Sequence, residues 1–391
     1  MTERIDRADA YQREARAQVL STREAEGQTL VLLDRSLFYA EGGGQSADTG
    51  RLWPVEDAGA VSRVLSAELQ GEEVWLRLDR PLPEGVRAVE CSLDWGHRFD
   101  NMQQHTGQHI FSAALFSLLR AETRSSRLGG ELSTIDLDRE VSAAGLQEAE
   151  ELANQILAEN RAVRVLYPSP DELSRMTLRR EPKVEANVRV VEVEGFDLSP
   201  CGGTHVRNTS EIGLLVTLSS ERYKGGTRLS FLAGRRVARE FQRRRSEDEA
   251  LSRLLSAPAG EQAPAVQRLL DESAARLARI ESLTEALAIE KANALLARPD
   301  AVLRVQLDGE KALARQIAQR ISQTPGRAAF LGVVEGDKAA LIFAAGPNAG
   351  IDAGARLKAV CAALGGRGGG RPHLAEGSCP ADKLSEALAQ A

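Results

Sequence analysis

The chain has 391 residues, too many for one ordinary core, so two to four domains are expected. A net charge of −6 excludes a uniformly basic nucleic-acid surface, although a local basic patch stays open. No apolar run reaches bilayer-spanning length, and the charged first twenty residues lack a signal peptide's apolar core. Cys91, Cys201, Cys361 and Cys379 form no CxxC pair, so a cytoplasmic chain with reduced thiols and no membrane partner is expected.

Residues 15–90 read as short strands broken by turns. QTLVLLD, VSRVLSAEL and EEVWLRLD are apolar or alternating runs; AEGGGQSADTG, QGEE and PLPEG break them. This spacing predicts a small all-β unit, a β-barrel, over 1–94. At 100–120 the period changes. Ile110, Phe111, Ala114, Leu115, Leu118 and Leu119 fall on one helix face, with Asp100 as N-cap and Arg120 at the C-terminal end. ELSTIDLD reads as a strand, 143–160 as a helix, and RAVRVLYPS and NVRVVEVEG as strands. GLLVTLSSERYKGGTRLSFLAG reads as a hairpin on a Gly-Gly turn. Together these predict an α+β domain over 95–235.

Residues 236–298 are rich in Arg, Ala, Leu and Glu. Val266, Leu270, Leu277, Ile280, Leu283 and Leu287 approximate a helical stripe, and Pro258 and Pro264 break the segment once. A helical hairpin or short coiled coil is expected. Residues 299–391 alternate strands and helices as an α/β domain. AAFLGVVEG and KAALIFAAG are its buried strands, and it carries the glycine cluster GGRGGGRP at 365–372. The fold class expected overall is α+β multidomain.

Two motifs far apart in sequence carry chemistry. His105 and His109 are four apart on a predicted helix, which puts both imidazoles on one face, roughly 6 Å apart at Cβ. Cys201 and His205 flank Gly-Gly-Thr, whose glycines let thiolate and imidazole converge. Three of the five histidines fall in these motifs, and together they supply four ligands for one metal. One Cys with three His favours zinc over magnesium or calcium. Four protein ligands also fill a tetrahedron, the signature of a closed structural zinc. A catalytic role then needs a fifth position, a displaced ligand, or a metal that only positions substrate.

HTGQH on a helix, followed about a hundred residues later by CGGTHVRNTSEIG, resembles the editing domain of alanyl-tRNA synthetase. LFYAEGGGQSADTG resembles the glycine-rich segment preceding that domain. GGRGGGRPHLAEG resembles the signature of the synthetase's C-terminal, DHH-associated domain. With editing-type sequence beginning within the first forty residues, the best match is the free-standing alanyl-tRNA editing family of the long AlaX type.

The resemblance implies hydrolysis of mischarged tRNA for alanine, carrying serine or sometimes glycine, at a zinc site formed by His105, His109, Cys201 and His205. It places a polar residue seventeen positions after His109, which is Ser126, to meet the serine hydroxyl; a polar turn residue is the other reading. Gly43, Gly44 and Gln45 are either a tight turn or a backbone surface lining the editing pocket. Thr204 either orients a ligand or donates to substrate. Residues 221–245 hold nine basic residues against Glu221 and Glu240. That run is a solvated face or a contact with the tRNA backbone through Arg235, Arg236, Arg239 and Arg243. Gly368, Gly369, Gly370 and Arg371 are a second tRNA contact by resemblance, with His373 where the family signature carries Asp. The helical segment suggests a homodimer, as in the synthetase's C-terminal region; packing against its own chain is the other reading. The rivals are a tRNA-binding protein with a structural zinc, and a phosphoesterase, which the lack of an Asp-His-His motif disfavours.

Overall fold

The structure, a computed structural model, describes residues 2–25, 27–182 and 187–391. Two compact units emerge, 1–248 and 249–391, with the division inside the helix Arg235–Leu255.

In the first unit, six antiparallel strands pair in the order Glu14–Ala25, Gln28–Leu33, Glu73–Leu78, Ser62–Gln70, Gly50–Pro54 and Ala88–Leu93. The last pairs back with the first, so the ring has no free edge. Alternate residues such as Val31, Leu33, Val74, Leu76 and Leu78 fill its interior. Three of the six strands match the apolar runs read from sequence. The long first strand, EARAQVLSTREA, buries little besides Ala17, which is why its pattern is faint.

The helix Trp95–Leu119 follows, and its start differs from the expectation. Asp94, not Asp100, is the N-cap, accepting from the His97 N–H at 3.1 Å. Asp100 lies inside the helix, buried and paired with Arg236. Nor is the helix apolar on one face only; residues 100–115 are all buried. Two of its buried glutamines are satisfied by neighbouring backbone. Gln104 Nε2 donates to the Ala233 carbonyl at 2.7 Å while its Oε1 accepts from the Ala233 N–H at 3.0 Å. Gln103 Nε2 donates to the Glu211 carbonyl at 2.7 Å. An unpaired buried amide would cost about 1–3 kcal/mol, so these bonds fix the helix's rotation against its sheet.

That sheet has four antiparallel strands, ordered Leu215–Tyr223, Gly226–Ala233, Ser133–Leu137 and Thr123–Leu128. Its hairpin turns on Lys224 and Gly225, both at positive φ, while Gly226 already pairs with Tyr223. The expected Gly-Gly turn is therefore Lys-Gly. A three-stranded sheet, Val163–Leu166, Val190–Val193 and Asp197–Pro200, ends just before Cys201.

The second unit begins with the end of the helix Arg235–Leu255, then a break at 256–261 containing Pro258, Ser256 at φ 50° and Gly260 at φ 85°. The helix Gln262–Leu296 runs 35 residues, with Pro264 in its first turn, where proline is tolerated. A five-stranded mixed sheet follows, ordered Val302–Gln306, Ala328–Glu335, Lys338–Ala345, Leu374–Pro380 and Arg367–Arg371. The glycine cluster is not a loop. It is the edge strand Arg367–Arg371, and glycine is needed there for close packing. A Cβ on Gly370 would lie 2.5 Å from the Ala375 Cα, and one on Gly368 3.0 Å from the Cys361 sulfur.

Candidate metal centre

His105 and His109 project from the middle of the buried helix. Cys201 and His205 sit on the turn that leaves the strand Asp197–Pro200. The four ligand atoms lie within 4.8 Å of one another. The Cys201 sulfur is 3.3 Å from Nε2 of both His105 and His205. A tetrahedron with a Zn–S bond of about 2.3 Å and Zn–N of about 2.0 Å has S–N edges of about 3.5 Å. Donor chemistry and spacing both fit zinc.

Two of the imidazoles are hydrogen-bonded from behind, and the third faces a carboxylate. His105 Nδ1 donates to Gln45 Oε1 at 2.7 Å. That oxygen also accepts from the Thr204 N–H at 3.1 Å, while Gln45 Nε2 donates to Thr204 Oγ1 at 2.9 Å. These contacts identify the amide oxygen and fix the His105 tautomer with Nε2 free to ligate. His205 Nδ1 meets Thr106 Oγ1 at 3.1 Å. His109 Nδ1 lies 3.5 Å from Asp197, which Arg179 and Ser199 hold. A carboxylate or carbonyl behind a metal-binding imidazole is the usual arrangement, since it raises ligand basicity.

The protonation states agree. Burial, with the charge of Arg189 nearby, holds His105 down at about 3. Burial and the neighbouring His105, His109 and Arg189 hold His205 well below its ordinary value. Burial alone would raise the Cys201 thiol, but His109, the Gly203 N–H and Arg189 bring it below the ordinary range. Neutral His105 and His205 and a thiolate-prone Cys201 are forms that ligate.

Ser126 and Gly43 line the same cavity of about 510 Å³ as His105, His109 and Cys201. The glycine loop reaches it by lying on the strand Thr123–Leu128. The Leu128 N–H donates to the Gly44 carbonyl at 2.8 Å, and a Cβ on Gly44 would stand 2.5 Å from the Ser126 carbonyl oxygen. Gln45 and Thr204, 0% and 1% exposed, stand behind His105 and not on the cavity wall.

The basic run divides. Arg236 is buried, paired with Asp100 at 2.8 Å and bonded to the Gly129 carbonyl, so it is structural and not a phosphate contact. Arg243 pairs with Glu240 and Glu247 at 2.8 and 2.6 Å on the surface. Arg235 and Arg239 are exposed. The sequence count missed partners from elsewhere, since Arg222 pairs with Glu140 and Arg228 with Asp136. Gly368, Gly369, Gly370 and Arg371 are exposed along their edge strand in the second unit.

Sequence reasoning missed Thr106, Asp197 and Arg189. Thr106 was visible inside HTGQH, but its bond to a residue 99 positions away was not. Asp197, four residues before Cys201, carried no signal of its own.

Residues 188–230 match the family model described as the threonyl and alanyl tRNA synthetase second additional domain, and 300–391 match the DHHA1 domain. The alanyl-tRNA editing protein Aarsd1 of Mus musculus is 31% identical over 399 residues, covering 96% of this chain and 93% of the relative. The chain belongs to the alanyl-tRNA editing protein family. The alanyl-tRNA editing protein AlaX-L of Pyrococcus horikoshii is 32% identical over 241 residues, 61% of this chain and 59% of that protein. The alanine–tRNA ligase of Pyrococcus furiosus is 30% identical over 397 residues, 97% of this chain and 42% of the ligase. The chain thus spans less than two thirds of AlaX-L and of the ligase. Within this editing-family chain, the first matched segment holds Cys201 and His205 but not His105 and His109. The helix packing described above joins the two pairs.

Proposed function

We propose that the chain is a zinc-dependent deacylase that hydrolyses mischarged tRNA for alanine, Ser-tRNA(Ala) foremost and Gly-tRNA(Ala) as well, in the cytoplasm. One observation carries this reading: three of the four convergent ligands, His105, His109 and Cys201, open onto a cavity that Gly43 and Ser126 also line. Family membership supports it. We take the closed six-stranded ring for the small barrel of 1–94, followed by an editing domain over 95–235, a helical segment over 236–298 and a DHH-associated-type domain over 299–391.

The need for such an activity is physical. A pocket shaped for alanine cannot strongly reject a side chain that adds one hydroxyl, so a second site must read the difference. Ser126 on the cavity wall offers a hydroxyl to the serine side chain. Gln45 holds His105 in one tautomer, Thr106 bonds His205, and Asp197 stands 3.5 Å behind His109. Zinc bound here would supply Lewis acidity and lower the pKa of bound water toward neutrality.

A second reading rests on the ligand count: four protein donors complete a tetrahedron, which favours a zinc that holds the pocket together. Deacylation of Ser-, Gly- and Ala-tRNA(Ala), with and without chelator, tests both. The expected result is rapid loss of serine, slower loss of glycine, sparing of alanine, and inactivity after chelation. Ser-tRNA(Ala) left intact by the zinc-loaded protein sinks the deacylase and leaves a tRNA-binding protein with a structural zinc.

A further inference from the structure

The cavity beside the four ligands carries more positive charge than an amino acid needs. Arg7, Arg180 and Arg189 all line it, against a single carboxylate, Glu181, among the described lining residues. Arg189 is only 8% exposed. Its Nη1 donates to the Cys201 carbonyl at 2.6 Å, but its buried Nε–H has no partner among the described residues. A buried N–H left unbonded costs about 1–3 kcal/mol, so such a donor points to a ligand that completes it. Arg7 and Arg180 are exposed, and neither has an ion-pair partner among the described residues. By contrast Arg179, Arg222, Arg228, Arg236 and Arg243 are each paired with a carboxylate. Arg180 also borders a second cavity of about 640 Å³, which Arg124 and Arg179 line together with the carboxylates Glu122, Asp138 and Glu181. The surrounding protein and the like charge of Arg179 bring its pKa below the ordinary arginine value. An anion placed against Arg180 would relieve that repulsion.

Under the editing reading, on which this inference rests, the anion cannot come from the amino acid. Its carboxylate is consumed in the ester, and its α-amino group is cationic. The terminal nucleoside is neutral. The nearest negative charge is the phosphodiester linking that nucleoside to the one before it. We infer that Arg7 and Arg180, with the Arg189 side chain deeper in the wall, form a subsite for this phosphodiester. Guanidinium forks suit it, because they bond two phosphate oxygens at once. The subsite would position the ester at the metal centre. These arginines are positioning residues, since they touch a phosphate and not the reacting carbonyl.

The test compares two small substrates alongside Ser-tRNA(Ala): 3′-O-seryl adenosine, and the same ester bearing a 5′-methyl phosphate diester. For the unaltered zinc-loaded protein, kcat/KM for the phosphorylated ester should exceed the other by about tenfold or more, mostly through KM. Arg180→Ala and Arg7→Ala should each shrink that ratio, and the double variant should bring it near one. Arg180→Lys, which keeps the charge but loses the fork, should retain an intermediate ratio; it and Arg180→Gln replace the alanine variant if that fails to fold. Zinc content and thermal midpoint of each variant report a merely structural effect. An equal kcat/KM for both esters, or a preference that survives the double variant, overturns the arginine subsite while leaving the editing reading intact. Failure of the unaltered protein to deacylate Ser-tRNA(Ala) overturns the editing reading and this inference with it.

Discussion

His105 is fixed by attraction on one side and by volume on the other. Gln45 accepts its Nδ1–H at 2.7 Å, and Gly203 leaves room for its ring, since a Cβ at 203 would stand 2.2 Å from His105 Cε1. Gly203→Ala must therefore displace the imidazole, and loss of bound zinc is the expected outcome by metal analysis. Gln45→Leu removes the acceptor and leaves Nδ1 unbonded. Zinc affinity in a competitive chelator titration should fall about 10- to 100-fold. The same burial makes the metal-free protein sensitive to acid. His105 titrates at about 3 when folded against an ordinary 6.5, so below pH 6.5 the unfolded chain takes up the proton first. Stability of the chelated protein should decline as pH falls from 6.5 toward 3, by on the order of 2 kcal/mol at pH 5 from this group. Denaturant midpoints at pH 7.5 and 5 would show it, and equal midpoints would contradict it. The four candidate ligands, which the fold brings within 4.8 Å of one another, were legible because their spacing is local within each motif. The role of Gln45 was not, because it depends on contacts 60 and 159 residues away.

The helix Trp95–Leu119 shows how an element's function depends on buried charge that its sequence does not advertise. Arg98 and Asp48 have fully buried side chains and are bonded to each other. Arg98 also donates to the carbonyls of Ala10, at 2.7 Å, and Leu37, at 2.6 Å. It thereby ties the first turn of the ligand-bearing helix to the segment that carries the glycine loop. Removing one partner of a buried pair leaves the other charge uncompensated, at about 3–5 kcal/mol. Arg98→Ala should lower the unfolding free energy by that much, with zinc binding weakened as the helix start loosens. A change below about 1 kcal/mol in denaturant titration would rule out this tie. From sequence, the helix was recognised by the apolar positions 110–119 alone. Its first half is polar but buried, and no periodicity distinguishes a polar residue bonded to a neighbouring backbone from one facing water. Asp100 looked like a cap for the same reason, since its partner Arg236 lies 136 residues on.

At the scale of the whole molecule, the helix Gln262–Leu296 carries its amphipathicity in an unusual sense. Its small residues Ala288 and Ala292, with Leu295, face the core of the second unit and pack with Leu313, Ala314 and Ile317. Its large residues Val266, Leu270, Leu277, Ile280, Leu283 and Leu287 remain between 41% and 61% exposed. The stripe read from sequence is therefore real, and no described residue of its own unit covers it. An apolar stripe of this length is costly in water, and a closed two-fold contact between identical helices is the simplest way to cover it. We expect a dimer in sedimentation velocity at micromolar concentration, with Leu277→Glu and Leu283→Glu together shifting it to monomer. The stripe belongs to the second unit and the candidate metal ligands to the first, so zinc content should be unchanged in the monomeric variant. An unaltered protein that sediments as a monomer, or a variant that stays dimeric, would show that the stripe does not hold two copies together.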